Sequence, residues 1–209
     1  FDSSGTALGG EFYVNTTASG DQQDSSIAMD AAGNTCVGGS AAAMQTALDL
    51  VNRRLQRAFV VARPPAHHAG YDSASGYCFF NSVALAAEVI IRSWNGPVVI
   101  ADFGALHGDG TQQHFYSSAD VGFVSVHRYP AFPGTGGADE IGDEKGLGTT
   151  RNVPLAAAAD DDIICSAFSS ALQEICGRLQ PVAIILSAGF DAHRDDPLGG
   201  MKMTEAGFG

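Results

Sequence analysis

The chain has 209 residues, 45% of them hydrophobic and 26 of them glycine, with a formal net charge of −12. That length and apolar content suit one sizeable α/β domain and exclude a disordered chain; the charge speaks against a nucleic-acid surface while leaving basic peptides or polyamines open as ligands. No apolar run reaches the roughly 18 residues of a membrane span, and 83-VALAAEVII-91 is broken by Glu88, so a soluble protein with no membrane contact is expected.

The cysteines, Cys36, Cys78, Cys165 and Cys176, show no C-x-x-C pair and no metal-ligand spacing. Their apolar neighbours predict reduced, buried thiols in a cytoplasmic protein, without disulfides. The chain opens at Phe1 without a signal pattern, and 201-MKMTEAGFG-209 reads as a helix being started. The sequence is therefore expected to be a single truncated domain over 1–209, incomplete at its carboxyl end.

Residues 1–39, rich in Gly, Ser, Thr and Asp, give no clean pattern. A helix is predicted from Ser40 to about Leu55, then a strand in 58-AFVVAR-63, then a helix from Asn81 to about Trp94. Strands follow in 97-PVVIADF-103 and 121-VGFVSVH-127. A last helix runs from Asp161 to about Leu179, with Asp160, Asp161 and Asp162 suited to its positive first turn, before a strand in 181-PVAIILSAG-189. These strand runs are nearly continuous in Val, Ile, Phe and Ala, as strands covered on both faces must be. Alternation of strand and helix predicts a parallel sheet between helical layers.

Polar residues cluster just after each predicted strand: 64-PPAHHAG-70, Asp102 to Asp109, His127 with 130-PAFPGTGG-137, and 190-FDAHRDDPLGG-200. Ligands of open parallel sheets bind beyond the carboxyl ends of the strands, so these loops are expected to converge on one active-site rim. Adjacent imidazoles at His67 and His68, each oriented by a carboxylate such as Asp102 or Asp109, suit general base and acid work; loop histidines bonded to backbone are the ordinary alternative. Asp191, at a strand end, suits a metal ligand, a helix cap or an ion pair.

The motifs 63-RPPAHHAG-70, 76-GYCFFNSVALAA-87, 107-HGDGTQ-112, 124-VSVHRYPAFPGTGG-137 and 187-SAGFDAHRDDPLGG-200 occur in an order that resembles the histone deacetylase and acetylpolyamine amidohydrolase superfamily, closest to its class II and bacterial members, from about residue 30 onward. The resemblance implies the arginase/deacetylase fold, a three-layer α/β/α sandwich around a mainly parallel sheet. It implies zinc-dependent hydrolysis of an acetyl-amide, with acetyl-lysine peptides, acetylpolyamines or small acetyl-amides as substrates. It assigns His67 and His68 to the base and acid pair, Asp102 and Asp109 to their orienting carboxylates, and Asp191 to zinc. Tyr77 and Phe132 become channel walls against the acyl-lysine stem, Asp30 a rim residue toward the substrate backbone, and Asp102 with Ser125 a structural potassium site.

The same resemblance exposes a departure. The family reads Asp-x-Asp-x-His-His-Gly-(Asn/Asp)-Gly in the second loop, with its second Asp and first His on zinc; here those positions are Gly104 and Leu106. A catalytic zinc site typically needs three protein ligands plus water, and His107 or His193 would have to stand in. The family's carbonyl-polarising tyrosine has no counterpart in this stretch, and loss of one oxyanion donor costs about 100- to 1,000-fold. The expectation is a deacetylase-family domain inactive as written; the alternatives are a non-catalytic module recognising acyl-lysine and a structural remnant that needs further chain or a partner to fold.

Overall fold

The computed structural model describes residues 28–29, 35–36 and 38–209. In chain order the elements are β1 (Ala28–Met29), β2 (Thr35–Cys36), α1 (Gly38–Val51), α2 (Ser82–Trp94), β3 (Val98–Phe103), α3 (Asp109–Phe115), β4 (Val121–Arg128), β5 (Thr150–Leu155), α4 (Asp161–Leu179) and β6 (Ala183–Ala188). β1 and β2 form a small antiparallel pair, and the other strands form one parallel sheet in the order β5-β4-β3-β6.

Alternation along the central strands divides the core. Val98 and Ile100 of β3 and Val121 and Phe123 of β4 point to one face, where they pack with Ala84, Ala87 and Ile90 of α2 and Ala47 of α1. Val99, Ala101 and Val124 point to the other, against Ala171 and Ile175 of α4. The result is the expected α/β/α layering. The predicted helices form at nearly the expected bounds, and Asp160 caps α4 by accepting the Ile163 N–H.

The strand predicted over 58–63 does not form: no strand is assigned there within the described residues, and Phe59 is 75% exposed. β-propensity alone does not make a strand without a neighbouring edge to pair with. β5, carrying Arg151, Asn152 and Pro154, and the short α3 were not predicted. Residues 205–208 form turns rather than the start of a helix. No helix among the described residues is long and apolar enough to cross a membrane.

Two buried polar clamps fix the rim. Asn81 caps α2 by accepting the Ala84 N–H at 3.0 Å, while its amide donates to the Ala69 carbonyl at 3.2 Å and to Thr111 Oγ1 at 3.0 Å, tying the histidine loop to α2 and α3. On β4, His127 Nε2 meets the Gly136 carbonyl at 3.0 Å; a carbonyl only accepts, so Nε2 carries the proton and Nδ1 accepts from Ser125 Oγ at 3.0 Å. Burial, reinforced by the neighbouring His107 ring, holds the His127 imidazole down to about 4.

Asn81→Ala removes a cap and leaves buried groups unpaired, so it should lower unfolding free energy by about 2–3 kcal/mol in urea titrations; a loss under about 0.5 kcal/mol would show the clamp to be redundant. The pH dependence has a definite sign. His127 titrates lower folded than its ordinary 6.5, so its stabilising effect is full above pH 6.5 and is lost as pH falls toward about 4. His107 and His114, also lowered by burial, act in the same direction, whereas His67, raised, opposes them. Unfolding free energy should fall by up to about 3 kcal/mol over that window for His127 alone, and His127→Gln should flatten the slope.

Candidate active site

His67 and His68 lie on the loop after the 58–63 segment, and several contacts hold it. The Thr111 N–H donates to the His67 carbonyl at 3.0 Å, binding the loop to α3, and the His68 N–H donates to Cys78 Sγ at 3.4 Å. Gly76 adopts φ +52, and a Cβ there would run into the His68 ring, so only glycine lets this turn close behind the imidazole. Burial pushes the Cys78 thiol up to about 11, which suits a packing and acceptor role rather than a nucleophile.

Each histidine meets its own carboxylate. His67 Nδ1 is 3.0 Å from Asp102 Oδ2, at the carboxyl end of β3, and His68 Nδ1 is 2.6 Å from Asp109 Oδ1, at the start of α3. Carboxylates only accept, so both Nδ1 atoms carry the proton and Nε2 is the working nitrogen of each ring. The rings are 4.0 Å apart between centroids. Burial by itself would lower the His67 pKa, but the charge and hydrogen bond of Asp102, with Asp191 and Asp109 adding to them, outweigh it and raise the pKa above 6.5. The two histidines and the two carboxylates named from sequence are thus brought together, Asp102 on His67 and Asp109 on His68.

Asp191, in the short 3-10 helix Phe190–Ala192 after β6, reaches across to the end of β3, where its Oδ1 accepts the Ala105 N–H at 2.9 Å. A Cβ on Gly104 would lie 2.8 Å from that same oxygen, so the Asp191 carboxylate sits over the bare glycine. Leu106 faces an apolar cluster with Val126, Met201 and Met203. These residues do not fit a zinc ion: glycine and leucine offer no donor, and among the described residues no group of three or more His, Cys, Asp or Glu side chains could hold a metal.

The stand-ins named from sequence are committed elsewhere. His107 is buried, with Nδ1 2.8 Å from Thr135 Oγ1 and Nε2 3.1 Å from Gln112 Oε1, so neither ring nitrogen is free for a metal. His193 Nδ1 accepts the Asp195 N–H at 3.2 Å and its Nε2 lies 3.6 Å from Glu205. These contacts give no support to either histidine as a substitute zinc ligand.

Of the channel residues, Phe132 packs edge-on to His68 at 5.1 Å and is half exposed. Tyr77 is 89% exposed at φ +63, so it stands clear of the protein rather than forming a closed wall. Asp30 lies outside the described residues. Asp102 and Ser125 are register partners on β3 and β4, and the Ser125 hydroxyl is given to His127.

A buried network beneath the rim had no sequence signal beyond its glycines. Gln112 donates to Glu140 Oε2 at 2.5 Å and accepts on Oε1 from Asn152 Nδ2 at 2.6 Å and from His107. Glu140 Oε1 accepts the Gly136 and Gly137 N–H groups, each at 2.8 Å, anchoring the loop that carries Phe132. A Cβ on Gly136, at φ +92, would strike both His127 and His107.

Comparison with known proteins agrees with this arrangement. Residues 6–209 match the histone deacetylase domain model. A "probable deacetylase" of Archaeoglobus fulgidus is 34% identical over 166 residues, covering 79% of this chain and 46% of that protein. Histone deacetylase 15 of Arabidopsis thaliana is 40% identical over 167 residues, covering 78% of this chain and 30% of the relative. Among solved structures, the HDA15 HD domain superposes with a TM-score of 0.77 at 33% identity, covering 88% of this chain and 57% of that one. An acetylpolyamine aminohydrolase from Burkholderia pseudomallei gives 0.71 at 36% identity, covering 80% and 51%. The chain thus spans about half, or less, of the length of these relatives. With the histidine pair, its carboxylates and the parallel sheet all in place, the chain belongs to the histone deacetylase domain family of the arginase/deacetylase superfamily.

Proposed function

We propose that this domain is a deacetylase-family amidohydrolase scaffold, built for amides of primary amines such as acetyl-lysine or acetylpolyamine, that does not hold the catalytic zinc and does not hydrolyse its amide. The observation that carries this reading is the occupancy of the ligand positions: Gly104 lies under the Asp191 carboxylate, and Leu106 faces apolar side chains. The histidine pair retains the geometry for moving protons through Nε2 of each ring. A metal bound there would polarise the amide carbonyl and acidify a water, and nothing at 104 or 106 supplies donors for it.

Purified chain dialysed against a mild chelator should keep far less than one zinc per molecule by emission spectrometry; stoichiometric retention would overturn the reading. Gly104→Asp with Leu106→His should raise zinc affinity by at least about a hundredfold, since the donors act as one site. The Gly104→Asp side chain requires that Asp191, a flexible carboxylate, swing off the Ala105 N–H and that the Gly189 backbone, 3.2 Å from the new Cβ, yield by a few tenths of an ångström. Leu106→His places an imidazole in an apolar cluster and should cost about 1–2 kcal/mol of stability without metal. Each single variant should recover less than half of the double variant's gain. A folded double variant with unchanged zinc affinity would overturn the placement of the metal site at these positions.

A further inference from the structure

We infer that the pocket at the histidine pair accepts the protonated head of a primary alkylamine, the side chain of unmodified lysine or the end of a polyamine, in preference to the corresponding acetyl amide. The inference rests on the reading that no zinc is held, and it follows from the hydrogen-bonding valences that remain. His68 is 3% exposed, its Nδ1–H is given to Asp109, and its Nε2 is buried without a partner. Asp191 spends Oδ1 on the Ala105 N–H, which leaves Oδ2. Asp102 donates nothing and serves His67 with both oxygens, at 3.0 and 3.3 Å. The unspent polar atoms are acceptors.

An orphaned buried nitrogen costs about 1–3 kcal/mol, which a ligand recovers only by bringing a donor. A primary ammonium brings three N–H groups and no acceptor, whereas an amide brings a carbonyl oxygen that itself needs a donor or a cation. The pocket can make donors of its own only by protonating Nε2 of the histidines. Even with both rings protonated, Asp102, Asp109 and Asp191 set three carboxylates against two imidazolium charges, so the local field keeps its sign. Desolvating an ammonium is tolerable only where counter-charges and acceptors meet it, and Asp102, Asp191 and Asp109 all lie within electrostatic reach of His67. The half-exposed Phe132 ring beside His68 offers an apolar face to the methylene stem.

Calorimetric titration of the 209-residue chain, cleared of metal by chelator, compares a capped lysine tripeptide, its acetyl-lysine form and putrescine. Salt at about 150 mM limits long-range attraction to roughly 8 Å. The lysine peptide and putrescine should bind at least about tenfold more tightly than the acetylated peptide. Asp191→Asn should weaken the amines by about tenfold and leave the acetylated peptide unchanged, while Asp195→Asn, an exposed carboxylate outside the pocket, should change neither. Equal or tighter binding of the acetylated peptide overturns the inference, as does an Asp195→Asn effect as large as that of Asp191→Asn, which would reveal general charge attraction. Absence of amine binding by a metal-free, folded chain, checked by circular dichroism, overturns it while leaving the zinc reading intact; stoichiometric zinc overturns that reading instead.

Discussion

The site depends on one buried carboxylate. Asp102 ends the central strand β3 with 1% exposure, between Ser125 of β4 and Ser187 of β6 in register. A carboxylate taken out of water at that depth must be met by donors or positive charge, and His67 supplies both. The loop carrying the histidine pair is therefore held against the strand ends by an electrostatic demand, while Asn81 and Cys78 fix its backbone. The same demand raises the His67 pKa despite burial. Charge at the sheet's carboxyl edge and the shape of the rim are one problem with one solution.

Much of this was legible in the sequence because the signals are local and strong. Long apolar runs gave β3, β4 and β6, and the 3.6-residue pattern with Asn81 and Asp160 gave α2 and α4 their starts. That Asp102 and Asp109 serve the histidine pair followed from the family motifs, whereas which carboxylate meets which ring is a matter of geometry. What escaped depends on partners distant in the chain. Residues 58–63 have the composition of a strand but no ladder among the described residues, and β5 forms from Thr-Arg-Asn-Val-Pro-Leu because β4 offers it an edge. An edge strand tolerates Pro154, which a central one would not. His107 seemed available as a metal ligand only because Thr135 and Gln112, its actual partners, lie 28 and 5 residues away along the chain.

β6 shows the other side of this dependence. Among the described residues it is paired to β3 alone, and Ile184 and Leu186 on its α4-side face are at least half exposed. A flat apolar edge without charged residues is a surface that soluble proteins ordinarily cover or blunt. In a chain that spans about half of the structures it resembles, that edge and the exposed Phe59 segment mark where the described sheet is least self-sufficient.

The buried network under the Phe132 loop carries a sense of direction. Glu140 can only accept, so it dictates which end of the Gln112 amide is nitrogen; that fixes Gln112 Oε1 toward His107, places the imidazole proton on Nε2, and turns the Thr135 hydroxyl toward Nδ1. Asn152 imposes the same direction from the other side, since its Nδ2 donates both to the Glu140 backbone carbonyl and to Gln112 Oε1. A carboxylate at one end and a backbone carbonyl at the other thus set the polarity of a chain of dipoles ending at the rim, and neither can reverse by donating. Order at the mouth of the pocket is in this sense encoded by an asymmetry of lone pairs as well as by packing.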